Sequence, residues 1–314
     1  MTKPLISICV PAFNVANYIA ETISCLLKQS YQNIEIIIVN DGSTDDTLNV
    51  LEQINSNKIK VISVANGGAA KARNIAYQSS TGAYIIFLDA DDLLSGEFIE
   101  NQMLALNGDD HSIVIASWGR FYKSIKEDFV LDNDLIIHPF TLEDWICTNW
   151  LLNKHNTPPG RMLIPRKVLN LSGIWDDKLS LNDDFEFFTR VALNSNKIIP
   201  NFSSTYYYRS GIGGLSSYKG EKAYLSLFKS FKQSFDLCLK AYPQNQKVKK
   251  ACANLWRSYI YETYPLLPDK RNFADKEIIN LGGSNLKIPT GGITKYLNIM
   301  LGWKKVKLLK KYLS

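Results

Sequence analysis

The sequence predicts an α/β fold: a mostly parallel sheet with helices on both faces, followed by a helical C-terminal region. Three observations predict it. Over the first hundred residues, short apolar runs alternate with stretches of helical periodicity. Each apolar run ends in a polar cluster, as strands do when they carry ligands beyond their carboxyl ends. From Glu221 onward the aromatics Tyr224, Phe228, Phe231 and Phe235 fall at helical spacing.

Leu5 to Val10 is an apolar run closed by Pro11, which suits a buried strand. Asn17 to Gln29 places Tyr18, Ile19, Ile23, Leu26 and Leu27 on one face of a helix. Ile34 to Val39 is the second strand. It runs into Asn40-Asp41-Gly42-Ser43-Thr44, a turn with a helix cap, and a helix to about Gln53. Ile59 to Val64 is the third strand. Asn66-Gly67-Gly68 then opens a helix bearing Lys71, Arg73 and Asn74. Ala83 to Leu88 is the fourth, ending at Asp89-Ala90-Asp91-Asp92. Strands alternating with helices imply parallel β-α-β units, so Phe13-Asn14, Asp41, Asn66 and Asp89 to Asp92 should converge on one edge of the sheet. Further on, Ser112 to Trp118 and Met162 to Ile164 read as strands, Thr141 to Trp150 and Asp183 to Leu193 as helices, and Thr157-Pro158-Pro159-Gly160 as a loop. A domain boundary is expected near residue 220.

Apolar residues make up 46% of the 314-residue chain and charged residues 21%, enough to supply a core. The net charge of +6 is local. Lys295 to Ser314 holds six lysines and no acid, leaving 30 basic and 30 acidic residues elsewhere. A near-neutral body argues against nucleic acid as a partner. Cys9, Cys25, Cys147, Cys238 and Cys252 have no metal-ligand spacing and suggest a reducing compartment. No secretory leader and no apolar stretch of membrane-spanning length is read, so a cytoplasmic protein is expected. His111, His138 and His155 are scattered and expected in surface or core positions.

The chemistry is concentrated in Asp89, Asp91 and Asp92. Three carboxylates within four residues repel unless cations neutralise them. Oxygen ligands facing a diphosphate suit magnesium or manganese. The other reading is an acidic loop or a helix cap before Phe98.

The chain resembles glycosyltransferase family 2. The matching pieces are Val10-Pro11-Ala12-Phe13-Asn14, Ile38-Val39-Asn40-Asp41-Gly42-Ser43-Thr44-Asp45, Asn66-Gly67-Gly68 through Ala72-Arg73-Asn74, and Phe87-Leu88-Asp89-Ala90-Asp91-Asp92. A looser match follows at Gly173-Ile174-Trp175-Asp176 and Asp183-Asp184-Phe185-Glu186 through Arg190. The resemblance implies the GT-A fold, a Rossmann-like nucleotide-diphospho-sugar transferase fold over residues 1–220. Its nucleotide-binding half would be 1–100 and its acceptor half 100–220, with 221–314 a helical region. It also implies inverting transfer from a nucleotide sugar, UDP-linked first, to a glycan hydroxyl in bacterial surface polysaccharide synthesis.

Carried over residue by residue, Pro11 and Phe13 lie against the base, Asp41 accepts a hydrogen bond from it, and Arg73 lies near base and phosphates. Asp89 contacts ribose or donor sugar, and Asp91 ligates Mn2+ or Mg2+. Asp184, second of the acidic pair with Asp183 at a helix start, is the general base. The family places Glu where Asp183 stands. Asp92, Asp183, Asp176, Asp177 and Glu186 are weaker candidates. Arg209, ahead of Gly211 to Gly214 and Ser216-Ser217, is a candidate for countering the leaving diphosphate beside a loop that closes over the donor. Each acidic position also has a plain structural role as turn or helix-cap residue. Trp118 and Trp150 are candidates for an acceptor pocket, with core packing the preferred reading.

Residues 295–314 interleave apolar side chains with lysines, the composition of an interfacial helix on anionic lipid, interrupted by Gly302. The alternative is a helix packed on the body. Membrane docking would make the acceptor a lipid-linked glycan at the inner leaflet. Two other functions share the fold pattern. A nucleotidyltransferase needs a Gly-rich basic loop after the first strand, where Pro11-Ala12-Phe13-Asn14-Val15 stands. A non-catalytic carbohydrate-binding scaffold does not need acids at 41, 89, 91 and 184.

Overall fold

The computed structural model describes residues 3–132, 134, 136–155, 157–213, 219–287, 297 and 301–313, with side chains through 309. The chain forms two compact units, residues 1–142 with 156–217 and residues 143–155 with 218–314.

The first unit is built on one sheet. Its opening elements are β1 (Ile6–Ala12), α1 (Ile19–Leu27), β2 (Ile34–Asp41), α2 (Thr47–Glu52), β3 (Ile59–Val64), α3 (Ala69–Gln78) and β4 (Tyr84–Phe87). The strands lie in the order β3-β2-β1-β4, all parallel, with Ile6 opposite both Ile34 and Tyr84. The first connection steps one way from β1 and a later one returns to its other side. That reversal opens a crevice at the carboxyl ends of β1 and β4. β1, β2 and β4 are buried on both faces, which is why they read as mostly apolar runs, while the edge strand β3 is partly exposed. Ile8, Val10, Ile36, Ile38 and Ile86 pack with Ile19, Ile23 and Leu26 of α1. Each such side chain contributes roughly 1.5–3 kcal/mol of burial. Pro11 is tolerated in a central strand because Cys9 O accepts from Leu88 N and β4 pairing ends there. Pro11 lies past the last pair of β1 with β4, Cys9 opposite Phe87, so that ladder does not need its missing donor.

The rest of the sheet is mixed. It contains β5 (Leu93–Leu94), α4 (Phe98–Leu106), β6 (Ile113–Phe121), α5 (Ile125–Asp128), β7 (Val130–Asp132), β8 (Met162–Pro165), α7 (Arg166–Ser172), α8 (Asp183–Leu193) and β9 (Ile198–Arg209), with α6 (Leu142–Thr148) leading to the second unit. β8 joins β4 antiparallel and β6 antiparallel, β9 runs parallel to β6, and β5 closes on β9. β9 is longer than its sequence suggests. Its register against β6 jumps from Ala116 opposite Asn201 to Ser117 opposite Thr205, so Phe202, Ser203 and Ser204 form a bulge, with Phe202 exposed and Ser204 buried.

The second unit is helical: a 3-10 turn (Trp150–Leu152), α9 (Glu221–Ala241), α10 (Gln246–Thr263), α11 (Pro268–Asn280) and α12 (Trp303–Leu313). Its core is aromatic, with Trp256 edge-on to Phe231 and Phe235 at 6.1 and 5.1 Å. Asn245 caps α10 by accepting from Lys247 N and Val248 N. The basic tail packs within this unit through one face. Trp303 meets Tyr261 and Tyr264 at 5.5 and 5.4 Å, Val306 is buried, and Lys307 Nζ donates to the last carbonyls of α10. Leu301, Lys304, Lys305 and Leu309 stay exposed. Among the described residues no helix is long and apolar enough to cross a membrane. Residues 214–218 of the glycine-rich loop, 288–294 before the tail, and 295, 296, 298–300 and 314 of the tail lie outside the described residues.

Candidate active site

Four strand ends meet at the crevice. After β1 the chain turns at Asn14, which adopts a left-handed conformation (φ 52°). Asn14 Oδ1 accepts from Thr44 N (2.8 Å), and Asn14 N donates to Ser43 Oγ (3.1 Å), tying the first loop to the second. Phe13 stands at the strand end with 47% of its surface open, an aromatic ring with no ring stacked on it among the described residues, and Pro11 is half-buried beside it.

Asp41, the last residue of β2, is buried. Its Oδ1 and Oδ2 accept from Gly67 N (2.7 Å) and Gly68 N (2.8 Å), so it closes the turn that starts α3. Each oxygen keeps a further lone pair. Gly42 is required here: its φ is +69°, and a Cβ would lie 2.7 Å from Asn66 N.

The acidic loop after β4 is held from two sides. Thr22 of α1 donates to the carbonyls of Ala90 (2.9 Å) and Asp92 (3.1 Å). Asp92 is fully buried. Its carboxylate accepts from the Tyr206 hydroxyl and from Arg209 N (2.7 Å), anchoring the loop to β9 rather than facing the crevice. Burial raises its pKa. The carboxyl of Asp91 bonds to no side chain among the described residues, and burial, then the neighbouring Asp89, push it up to about 7. Arg209 donates Nε–H to the Asp91 carbonyl (2.8 Å) and Nη2–H to Glu21 (2.6 Å), between the rings of Tyr18 and Phe121.

Arg73 joins this loop to helix α8. Its Nη2 donates to Asp89 (2.6 Å) and its Nη1 to Asp183 (3.0 Å), and its guanidinium lies 4.5 Å from the Trp175 ring. Burial opposes its charge, but Asp89 and Asp183 outweigh that and raise its pKa. Trp175 stacks on Phe187 of α8 at 4.0 Å, and Asn74 grips its backbone in both directions at 2.9 Å. Asp184, second residue of α8, accepts from Phe185 N (2.8 Å). Its carboxyl is pushed up to about 7, first by burial and then by Asp183. Asp183 is itself raised by burial against the pull of Arg73.

One guanidinium therefore faces several carboxylates, and the cluster keeps an excess of negative charge. Among the described residues no three His, Cys, Asp or Glu side chains form a metal cage. Asp91, with Asp89 nearby, does fit a magnesium-type ion, which takes one or two carboxylates and completes its shell with phosphate oxygens and water.

Asp41 ends β2, and Asp89 and Asp91 follow β4; Arg73 ties Asp89 to Asp183, Asp184 comes next on α8, and Arg209 ends β9 against the Asp91 carbonyl. Glu186 instead chelates Arg190 (2.6 and 2.8 Å). Asp176 accepts from Lys178 N, and Asp177 is exposed. Trp118 and Trp150 are buried in the cores of their units, as preferred. His111 and His138 lie at the surface; His155 is buried against Phe231 with its pKa pushed down to about 4. Sequence reasoning gave no role to Asn74, Trp175 or Glu21. Asn74 and Trp175 stood inside recognised motifs, but their pairing across 101 residues leaves no local signal.

A parallel sheet that ends in a nucleotide-type crevice, lined by carboxylates and two arginines, defines an enzyme of the nucleotide-sugar transferase architecture. The model of glycosyl transferase family 2 matches residues 7–170, which is 164 of the 314 residues; the chain belongs to that family and is a glycosyltransferase. It is 29% identical over 223 residues to glycosyltransferase GlyG of Streptococcus pneumoniae serotype 4, covering 67% of this chain and 72% of that one. Over 99 residues it is 42% identical to chondroitin synthase of Pasteurella multocida, covering 31% of this chain but 10% of the synthase. In structure it is similar to S. aureus TarS 1–349, with a TM-score of 0.69 at 18% identity over 89% of this chain and 81% of that one. The same protein in complex with UDP-GlcNAc gives 0.62, over 89% of each chain. These structural likenesses bear on the GT-A fold.

Proposed function

We propose that the chain transfers a sugar from a nucleotide-sugar donor, UDP-linked first, to a glycan hydroxyl with inversion, in the synthesis of a bacterial surface polysaccharide. The observation that carries this is the Arg73 bridge, which sets Asp184 beside the loop of Asp89 and Asp91. The naming of relatives as polysaccharide synthases supports the acceptor class, and a TarS complex with UDP-GlcNAc supports a UDP-sugar.

In this reading residues 1–100 bind the donor, with Pro11 and Phe13 against the base and Asp41 accepting from it. Residues 100–220 receive the acceptor. A divalent cation, magnesium or manganese, would be held by Asp91 and supply Lewis-acid relief of the leaving charge. Asp89 orients the ribose or sugar, and Arg73 holds Asp89 and Asp183 through one hydrogen bond each. Asp184 takes the proton of the acceptor hydroxyl as that oxygen bonds to the anomeric carbon. The bond from that carbon to the phosphate oxygen breaks, and the nucleoside diphosphate departs with both electrons, countered by Arg209. A base titrating near 7 is poised for neutral pH. The exposed lysines of α12 suit contact with an anionic membrane face, which would make a lipid-linked glycan the acceptor.

The test is a panel of nucleotide sugars incubated with the purified chain and manganese, with product followed by NMR. Expected are release of nucleoside diphosphate and inversion at the anomeric carbon. Retention would remove the single-displacement mechanism, formation of a nucleoside triphosphate and a sugar 1-phosphate on adding pyrophosphate would indicate a nucleotidyltransferase, and no turnover with any donor would favour a scaffold.

A further inference from the structure

The geometry points to Glu21 as a positioning residue that aims Arg209 at the diphosphate of the nucleotide. This rests on the reading of Arg209 as the counterion of that group. Arg209 is almost wholly enclosed, yet two of its edges are fixed: Nε–H on the Asp91 carbonyl at 2.8 Å and Nη2–H on Glu21 at 2.6 Å. The rings of Phe121 and Tyr18 cover its faces at 4.5 and 5.1 Å. Nη1 has no hydrogen-bond partner among the described residues, and it is not among the buried unpartnered atoms. A guanidinium held on two edges and two faces presents its remaining amine in one direction only. Nε of the same guanidinium binds the carbonyl of Asp91, the residue assigned to the cation, so the arginine stands beside that residue.

Glu21 is the only carboxylate paired with Arg209 among the described residues, and its own side chain is 58% exposed. It belongs to the first turn of α1, next to Thr22, which donates to Ala90 O and Asp92 O. Adjacent residues of one helical turn thus hold the acidic loop and the arginine in a common frame. Thr22 does so from a buried position that shapes the loop. Glu21 is peripheral to the core, so its charge can be removed without opening a cavity. Its contribution is orientation, delivered at a partly exposed pair whose strength is modest.

The experiment titrates UDP, GDP, CDP and dTDP with magnesium into the wild type by calorimetry. The tightest is then compared with its parent nucleoside in Glu21→Gln, Arg209→Ala and the double variant. Glu21→Gln should weaken the diphosphate about five-fold and leave the nucleoside and the melting temperature unchanged. The same change in the Arg209→Ala background should do nothing further. Wild-type diphosphate affinity in Glu21→Gln, with loss in Arg209→Ala, overturns the role of Glu21 and leaves that of Arg209 standing. Equal weakening of nucleoside and diphosphate in Glu21→Gln also overturns it, because the effect is then on the shape of the pocket. Full diphosphate affinity in Arg209→Ala, or no diphosphate bound by the wild type, removes the underlying reading itself.

Discussion

Replacing Asp184 by Asn should abolish transfer and, at the same time, make the protein more stable. The carboxyl of Asp184 is held at about 7, against an ordinary value of 3.8, by burial and by Asp183. A group whose folded pKa is raised binds its proton more tightly in the folded state. Its ionisation therefore works against folding above about 7, and that cost disappears as the pH falls below the unfolded value. A shift of this size corresponds to about 4 kcal/mol at pH 8, about 2 kcal/mol at pH 5 and under about 1 kcal/mol at pH 4. Asn keeps an oxygen to accept from Phe185 N, so the contact at 2.8 Å survives while the charge goes. Removing that charge also relieves Asp183, which acts in the same direction. Urea unfolding of both proteins in EDTA at the three pH values measures the difference. The variant should gain a few kcal/mol at pH 8 and almost nothing at pH 4, while its kcat falls by about 10²-fold or more. A gain of equal size at both ends, or no gain at pH 8, would refute the reasoning. Normal turnover would exclude Asp184 as the base.

Two further substitutions probe the frame around the site. Arg73→Lys replaces a fork that spans two carboxylates, at 2.6 and 3.0 Å, by a single ammonium. It should lower kcat/KM at least about ten-fold and destabilise by about 2 kcal/mol, read by steady-state kinetics and urea unfolding. Gly160→Ala should cost about 1–3 kcal/mol, because the new methyl would stand 2.4 Å from the Tyr206 ring and 2.7 Å from a Leu88 methyl; an unchanged unfolding midpoint would contradict it.

The parallel half of the sheet was readable because burial on both faces of β1, β2 and β4 writes itself as short apolar runs, each ending in a polar cluster. Helix α8 was readable from its period. What escaped depends on partners far along the chain. The two residues of β5 are too few to carry a pattern, and they form a strand only because Tyr206 and Tyr207 lie beside them. The bulge in β9 places polar residues inside a strand, where they look like a loop. The antiparallel entry of β8 has no mark in four apolar residues. The site divides the same way. Asp41, Asp89 and Asp91 stood out as polar residues at strand ends, and Arg73 as part of a helix motif of the resembled family. That Asp92 alone of its trio turns inward follows from the Tyr206 hydroxyl, 114 residues away. The bridge from Arg73 to Asp183 spans 110 residues, and nothing in the local spacing announces it.

The placement of β8 has a consequence for anyone wishing to excise the donor-binding segment. β4 is apolar and buried along its whole length, and its outer backbone edge is satisfied at Tyr84 and Ile85 by Pro165 and Ile164. A fragment cut near residue 100 would expose that edge as a row of unsatisfied amides and carbonyls flanked by Ile, Ile and Phe, a template for pairing with other copies. The stretch with the clearest motifs is thus not a separable module. The outer edge of β4 gains its partner only when β8, Met162–Pro165, has been synthesised.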